Sequence, residues 1–203
     1  NTVSVSILHS VLYSLNDNTS DISEITNTLE SVLSAQCTDK RVNIVTKELF
    51  KKFKSVADFA EADIDELSQV IRPCGFYRTK AKNIIASAKI ITEDFSGKVP
   101  ETIDELTTLP GVGRKIANLI IGDIFKRPAI VVDTHCKRIS ARLGLTKNTD
   151  PTKIEMDLWK IIPEDYSAKF CHQIVLLGRE YCMARNPACG VCPLAPCCKK
   201  VLK

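Results

Sequence analysis

Several things are missing from this sequence, and each absence narrows its class. No apolar run approaches the roughly 18 residues that a membrane-spanning helix needs, so no membrane span is expected. No leader of basic, apolar and small residues opens the chain, which predicts no secretion signal and a cytoplasmic location, nucleoid-associated in a prokaryotic host. Strand periodicity is also missing: Ala-Ile-Val-Val at 129–132 is β-branched but too short and isolated to predict a sheet. No fixed-period repeat and no low-complexity linker divides the chain. Strong charge of one sign is absent too. A net charge of +4 is mildly basic, compatible with a polyanionic partner without requiring one.

What is present is helical. The 203 residues are 44% hydrophobic and 26% charged, ordinary values for a soluble globular chain of one large or two small domains. Apolar residues recur at helical spacing over 3–15, 21–36, 39–53, 79–95, 113–125, 133–143, 151–162 and 167–185. Shorter helices are predicted over 55–61, 63–71 and 102–109. Ser55, Asp63 and Asp150 stand where N-caps belong, and Pro151 follows Asp150 at the first helical position. Pro73 and Gly75 punctuate a break at 72–77. The predicted fold class is all-α.

The chain is organised around residues 109–135. Leu-Pro-Gly-Val-Gly-Arg-Lys at 109–115 is a tight turn between two helical patterns, and Val-Val-Asp-Thr-His follows at 131–135. Gly111 and Gly113 permit positive φ and leave no Cβ to obstruct a ligand. Amides at the start of the next helix would then face an anion. The same two glycines also suit a plain helix C-cap that reverses the chain. A dinucleotide site is excluded, because no strand precedes the turn and no third glycine follows. Lys115 reads as a phosphate-binding lysine or, if its amine is neutral, as a nucleophile. Asp133 reads as the N-cap of the 133–143 helix, as a catalytic carboxylate, or as both.

Nine cysteines are many for this length, and five of them, Cys182, Cys189, Cys192, Cys197 and Cys198, crowd the end of the chain. The odd total and the clustering argue against a secreted disulfide framework and for a bound metal. Spacing of Cys182-x6-Cys189-x2-Cys192-x5-Cys198 admits zinc or an iron–sulfur cluster. Cys37, Cys74, Cys136 and Cys171 are scattered and read as ordinary buried or half-buried thiols. Arg78, Lys80, Lys82, Arg114, Lys137, Arg138, Arg142 and Arg185 are candidate phosphate contacts, each with solvated surface as its plain alternative.

Two further strings, Leu-Ser-Ala-Gln-Cys-Thr-Asp-Lys at 33–40 and Gly-Phe-Tyr at 75–77, complete a pattern. With the glycine turn, Lys115, Asp133 and the cysteine spacing, the chain from about Ser23 to Cys198 resembles the endonuclease III family. These are bifunctional DNA glycosylase/AP lyases of the helix-hairpin-helix superfamily. The resemblance implies that Lys115 attacks C1′ of a damaged nucleotide and forms a Schiff base. Asp133 would stabilise positive charge on the sugar and assist proton transfers. Related glycosylases without the lysine are mainly monofunctional, so Lys115 is the reason to expect lyase activity.

Within the hairpin, Leu109, Gly111, Gly113 and Arg114 would bind a backbone phosphate, with Arg138 and Arg185 as further contacts. Gln36 matches a residue that enters the gap left by a flipped base. Phe76 matches an apolar wedge that is often leucine, a departure that still allows stacking between bases; core packing is its plain alternative. Cys182, Cys189, Cys192 and Cys198 match the ligands of a [4Fe–4S] loop, with a structural role. The family fold is two helical lobes with a DNA-binding cleft between them. A six-helix barrel would occupy 17–127, and 1–16 with 128–203 would form a discontinuous cluster domain whose loop spans 182–198. The expected partner is duplex DNA with oxidised or abasic nucleotides, bound by a monomer. Other readings are a monofunctional mismatch glycosylase, a non-catalytic DNA-binding iron–sulfur sensor, and a zinc protein with no nucleic-acid role.

Overall fold

The structure, a computed structural model, describes the backbone of residues 39–199 and the side chains of residues 44–199. The helices expected over 3–15 and 21–36, together with Gln36 and Cys37, lie outside the described residues. Among the described residues there are helices and turns and no strand, in agreement with the all-α expectation. The chain divides into two compact units between Ile120 and Ile121.

In the first unit the described helices are α1 (Asp39–Lys52), α2 (Val56–Ala60), α3 (Ile64–Ile71), α4 (Tyr77–Asp94), α5 (Ile103–Leu106) and the start of α6 (Arg114–Asp123). Their starts follow from capping chemistry. Ser55 and Asp58 form a reciprocal capping box on α2, and Asp63 accepts from the amides of Asp65 and Glu66 on α3. The Asp58 carboxyl is held below its ordinary range by hydrogen bonds from the Lys54 backbone and the Ser55 side chain. Leu49, Phe59, Leu67, Ile71, Ile84, Ile91 and Leu106 are fully buried, and Phe53 stacks on Phe59 with ring centroids 5.0 Å apart.

The second unit takes α6 to its end, then α7 (Thr134–Leu143), α8 (Pro151–Trp159) and α9 (Ser167–Glu180). Its core joins Ile130, Val132, Cys136, Ile139, Ile154, Leu158 and Ile174. The β-branched 129–132 segment makes no sheet, because its backbone bonds go to α9. Ala129 N–H donates to Ser167 Oγ at 3.2 Å, and Val131 N–H to Cys171 Sγ at 3.2 Å. Helix ends fall short of the periodic pattern where local backbone bonds close the last turn. The 167–185 pattern stops at Glu180, since the Tyr181 and Cys182 amides both turn back to Leu177 O.

Candidate functional site

In the first unit, the turn after α5 is built from buried anchors and backbone bonds. Val112 N–H donates to Leu109 O at 3.0 Å, and Ala117 N–H to Gly113 O at 3.0 Å. Leu109 is 2% exposed, so its side chain anchors the turn from within, and only its backbone is available to a phosphate. Gly111 has φ of +85°, and a Cβ there would lie 2.8 Å from Asn83 Nδ2, so helix α4 and backbone sign both demand glycine. Gly113 has open space where a Cβ would stand, which leaves room for a ligand. Ser87 Oγ donates to Pro110 O at 3.0 Å and ties the turn to α4. Arg114 and Lys115 are the first two residues of α6, and Lys115 is exposed. Helix-start amides and two consecutive cations therefore stand together at the end of the turn, a charge arrangement that suits an anion.

The wedge candidate belongs to the same unit. Phe76 is 69% exposed and adopts the left-handed backbone at φ +47°, directly after Gly75 at φ +66°. Core packing is thereby excluded for its ring. Lys80 corrects the expectation: it is no surface cation, being 6% exposed with Nζ donating to Cys74 O at 3.0 Å. Its position one helical turn before Ile84 was the signal that placed it on the buried stripe.

The second unit carries Asp133. It is the N-cap of α7, with Oδ1 accepting the Cys136 N–H at 2.7 Å. That bond fixes the carboxylate's orientation and, among the described residues, leaves Oδ2 without a hydrogen bond. Burial pushes the Cys136 thiol up to about 12, so this cysteine beside Asp133 is a core residue and not a nucleophile. His135 is half-buried, and burial lowers its pKa against a raising influence from Asp133. Gly178 of α9 lies against this turn: a Cβ would meet His135 Nδ1 and come within 2.9 Å of Ile139 Cδ1.

The cysteine tail forms a third feature, also within the second unit. Cys182, Cys189, Cys192 and Cys198 line one cavity with Ile139, Leu143, Leu177 and Arg142, enclosing about 450 Å³ with its open mouth included. Cys197 does not line it; it is exposed, with Sγ donating to Leu194 O at 3.4 Å. Among the described residues no three His, Cys, Asp or Glu side chains converge tightly enough for a single metal ion. The donor set is thus four thiols around an apolar cavity, a chemistry that suits thiolate-ligated metal, whether zinc or an iron–sulfur cluster.

Two arginines of α7 reach the tail. Arg138 donates through Nη2 to Cys182 O at 3.0 Å and stands 3.1 Å from His135 Nδ1. Arg142 donates to Met183 O at 2.7 Å, Ala184 O at 3.0 Å and Cys182 Sγ at 3.4 Å. Sequence reasoning took both for phosphate contacts. Their spacing of four on one helix face was legible, but the carbonyls they grip lie some forty positions further along the chain. Arg185 is exposed in the same loop.

Comparison with known proteins follows from this geometry. Residues 29–164 match the family described as HhH-GPD superfamily base excision DNA repair protein. Endonuclease III of Synechocystis sp. is 48% identical over 169 residues, covering 83% of this chain and 77% of that protein. A non-covalent endonuclease III–DNA complex superposes with a TM-score of 0.81 at 37% identity, covering 96% of this chain and 92% of the other. A trapped covalent endonuclease III–DNA intermediate gives a TM-score of 0.81 at 37% identity, covering 97% and 93%.

Proposed function

Because the chain belongs to the HhH-GPD superfamily of base excision DNA repair proteins, and within it to the endonuclease III family, we propose that Lys115 and Asp133 are its catalytic pair. The protein is a DNA glycosylase with AP lyase activity, and we assign it oxidised pyrimidines in duplex DNA as substrate. The observation that carries the assignment is Lys115, exposed in the first turn of the helix that leaves the glycine turn.

The chemistry runs as two linked steps. Neutral Lys115 Nζ attacks C1′, and the C1′–N bond breaks with its electron pair leaving on the base. Opening of the C1′–O4′ bond, with a proton to O4′, gives the Schiff base. Loss of a proton from C2′ then expels the 3′ phosphate as the C3′–O bond breaks, and water hydrolyses the imine. Asp133, fixed through Oδ1, holds Oδ2 for the positive sugar and its proton transfers. Gly111, Gly113 and Arg114 take a phosphate without reading sequence, Leu109 shapes the turn, and Gln36 and Phe76 fill the space a flipped base leaves. Arg185 adds a phosphate contact from the tail.

We assign Cys182, Cys189, Cys192 and Cys198 to a [4Fe–4S] cluster, a reading supported by the cavity they share and from which Cys197 is absent. When bound, the cluster cross-links the tail and supplies no electron, since glycosyl transfer to an amine needs no redox step. A brown protein absorbing broadly in the violet is expected, and a colourless zinc-loaded sample would overturn the cluster. We place the barrel at 17–127 and the cluster domain at 1–16 with 128–203, and the protein at the chromosome in the cytoplasm.

Borohydride trapping on thymine-glycol or abasic duplex tests the mechanism. Wild type should give a covalent adduct, and Lys115→Ala should lose it by about 10³-fold or more. Absence of the wild-type adduct would favour a monofunctional glycosylase instead, and equal trapping by Lys115→Ala would remove the lysine from its role.

A further inference from the structure

Lys80 is a buried cation for which the mechanism above has no use. It lies at 6% exposure on the face of α4 that carries Ile84, Ala88 and Ile91. A lysine is seldom buried without a specific partner, because its head group loses water. Here its partners include a turn. Nζ donates to Cys74 O at 3.0 Å, and the backbone N–H of the same residue donates to Phe76 O at 3.0 Å. One residue thus grips the carbonyls on both sides of Gly75.

The gripped turn is a strained one. Gly75 has φ of +66°, and Phe76 follows at φ +47°, ψ +27°, a left-handed conformation unfavourable for a bulky L-residue. Phe76 caps α4 without a side-chain hydrogen bond, so its own chemistry does not hold the shape. Such backbone persists only where the surroundings impose it. The product of the strain is an aromatic ring that is 69% exposed.

We propose that Lys80 is a positioning residue that locks residues 74–76 in this conformation and so presents Phe76 to duplex DNA already ordered. The inference rests on Phe76 acting as the wedge. Preordering removes the entropy that a loose loop would lose on insertion, so it should act on base extrusion and leave later chemistry alone.

The test is a cycle of Phe76→Ala, Lys80→Met and the double variant in the cluster-loaded protein. Extrusion is read from 2-aminopurine fluorescence beside an abasic nucleotide, and chemistry from borohydride trapping. Lys80→Met should slow extrusion from duplex about tenfold, the effect of losing one buried hydrogen bond. It should add nothing on the Phe76→Ala background, and its effect should vanish when the abasic nucleotide sits in a bulge. Lys80→Arg should restore much of the rate. If Phe76→Ala extrudes as fast as wild type, the wedge reading fails. If Phe76→Ala is slow while Lys80→Met is normal, or if the two effects add in full or persist on the bulge, the role of Lys80 is overturned. Should Lys80→Met not accumulate as folded protein, Lys80→Gln takes its place in the cycle with the same outcomes.

Discussion

The hairpin turn and the cysteine tail are both short irregular segments that present chemistry, yet they are held in opposite ways. Around the turn, Leu106, Leu109, Val112, Ala117 and Ile120 are buried, and Ser87 adds a polar tie. Over residues 181–199 no residue is buried at all. The ties of the tail include arginine bonds to the carbonyls of Cys182, Met183 and Ala184 and the Ala188 N–H to Tyr181 O at 2.8 Å. Apolar burial gives the turn a shape that exists before any ligand arrives. A segment with no core of its own needs a cross-link, as small metal-stapled domains do. The shape of the turn is therefore set by its own core, while order in the tail would depend on the cluster proposed for its thiols.

Removing the proposed cluster should have the largest effect on this contrast. Structural metal sites contribute roughly 10 kcal/mol to the segments they order. In Cys189→Ser, or after iron is stripped, trypsin should cut the tail at exposed Arg185 at least about tenfold faster, with cutting near Arg114 unchanged. Equal protection with and without the cluster would mean that the arginine bonds suffice, and the comparison would break.

Leu109→Ala tests the other side. Truncating a fully buried leucine costs about 2–5 kcal/mol, read from the shift in urea midpoint. The protein should keep its colour, because no cysteine ligand is involved. Loss of the cluster together with the turn would show that the two regions are coupled.

A smaller effect concerns pH. His172 Nε2 lies 3.5 Å from Asp123 Oδ1 in the second unit, and the hydrogen bond to Asp123 raises the His172 pKa above its ordinary 6.5. This contribution is fully present below 6.5 and is lost as pH rises through the raised value. His135 has the opposite sign: its pKa is lowered, so protonation of the unfolded chain costs stability as pH falls below 6.5. Both side chains of the His172 pair are near half-exposed, at 43% and 45%, so the effect should stay under about 1 kcal/mol. Subtracting the thermal stability of His172→Gln from that of wild type at each pH should leave a difference that declines from acid to neutral. A flat difference would sink the ion pair.

Much of this was legible in the sequence because it is local. N-caps at Ser55, Asp63, Asp133 and Asp150 formed where side chain and amide are two or three residues apart. The glycine turn was equally plain, since Gly111 states its backbone sign by being glycine. The family resemblance pointed to Cys198 over Cys197 through the x5 interval, and Cys198 lines the cavity while Cys197 does not. The last helix was read too long, because local bonds from the Tyr181 and Cys182 amides to Leu177 O close it before the apolar pattern ends.

The sequence by itself therefore determined the helical class, the caps, the turn and the inventory of thiols, amine and carboxylate, all of which depend on neighbours a few residues apart. Only the tertiary structure decided which face each long side chain took. Lys80 went inward to a carbonyl, Phe76 outward to water, and Arg138 and Arg142 to a tail some forty residues distant. A flexible cation or a large ring has no preference written in its own type. Its destination is set by which polar groups and cavities the folded chain brings within reach.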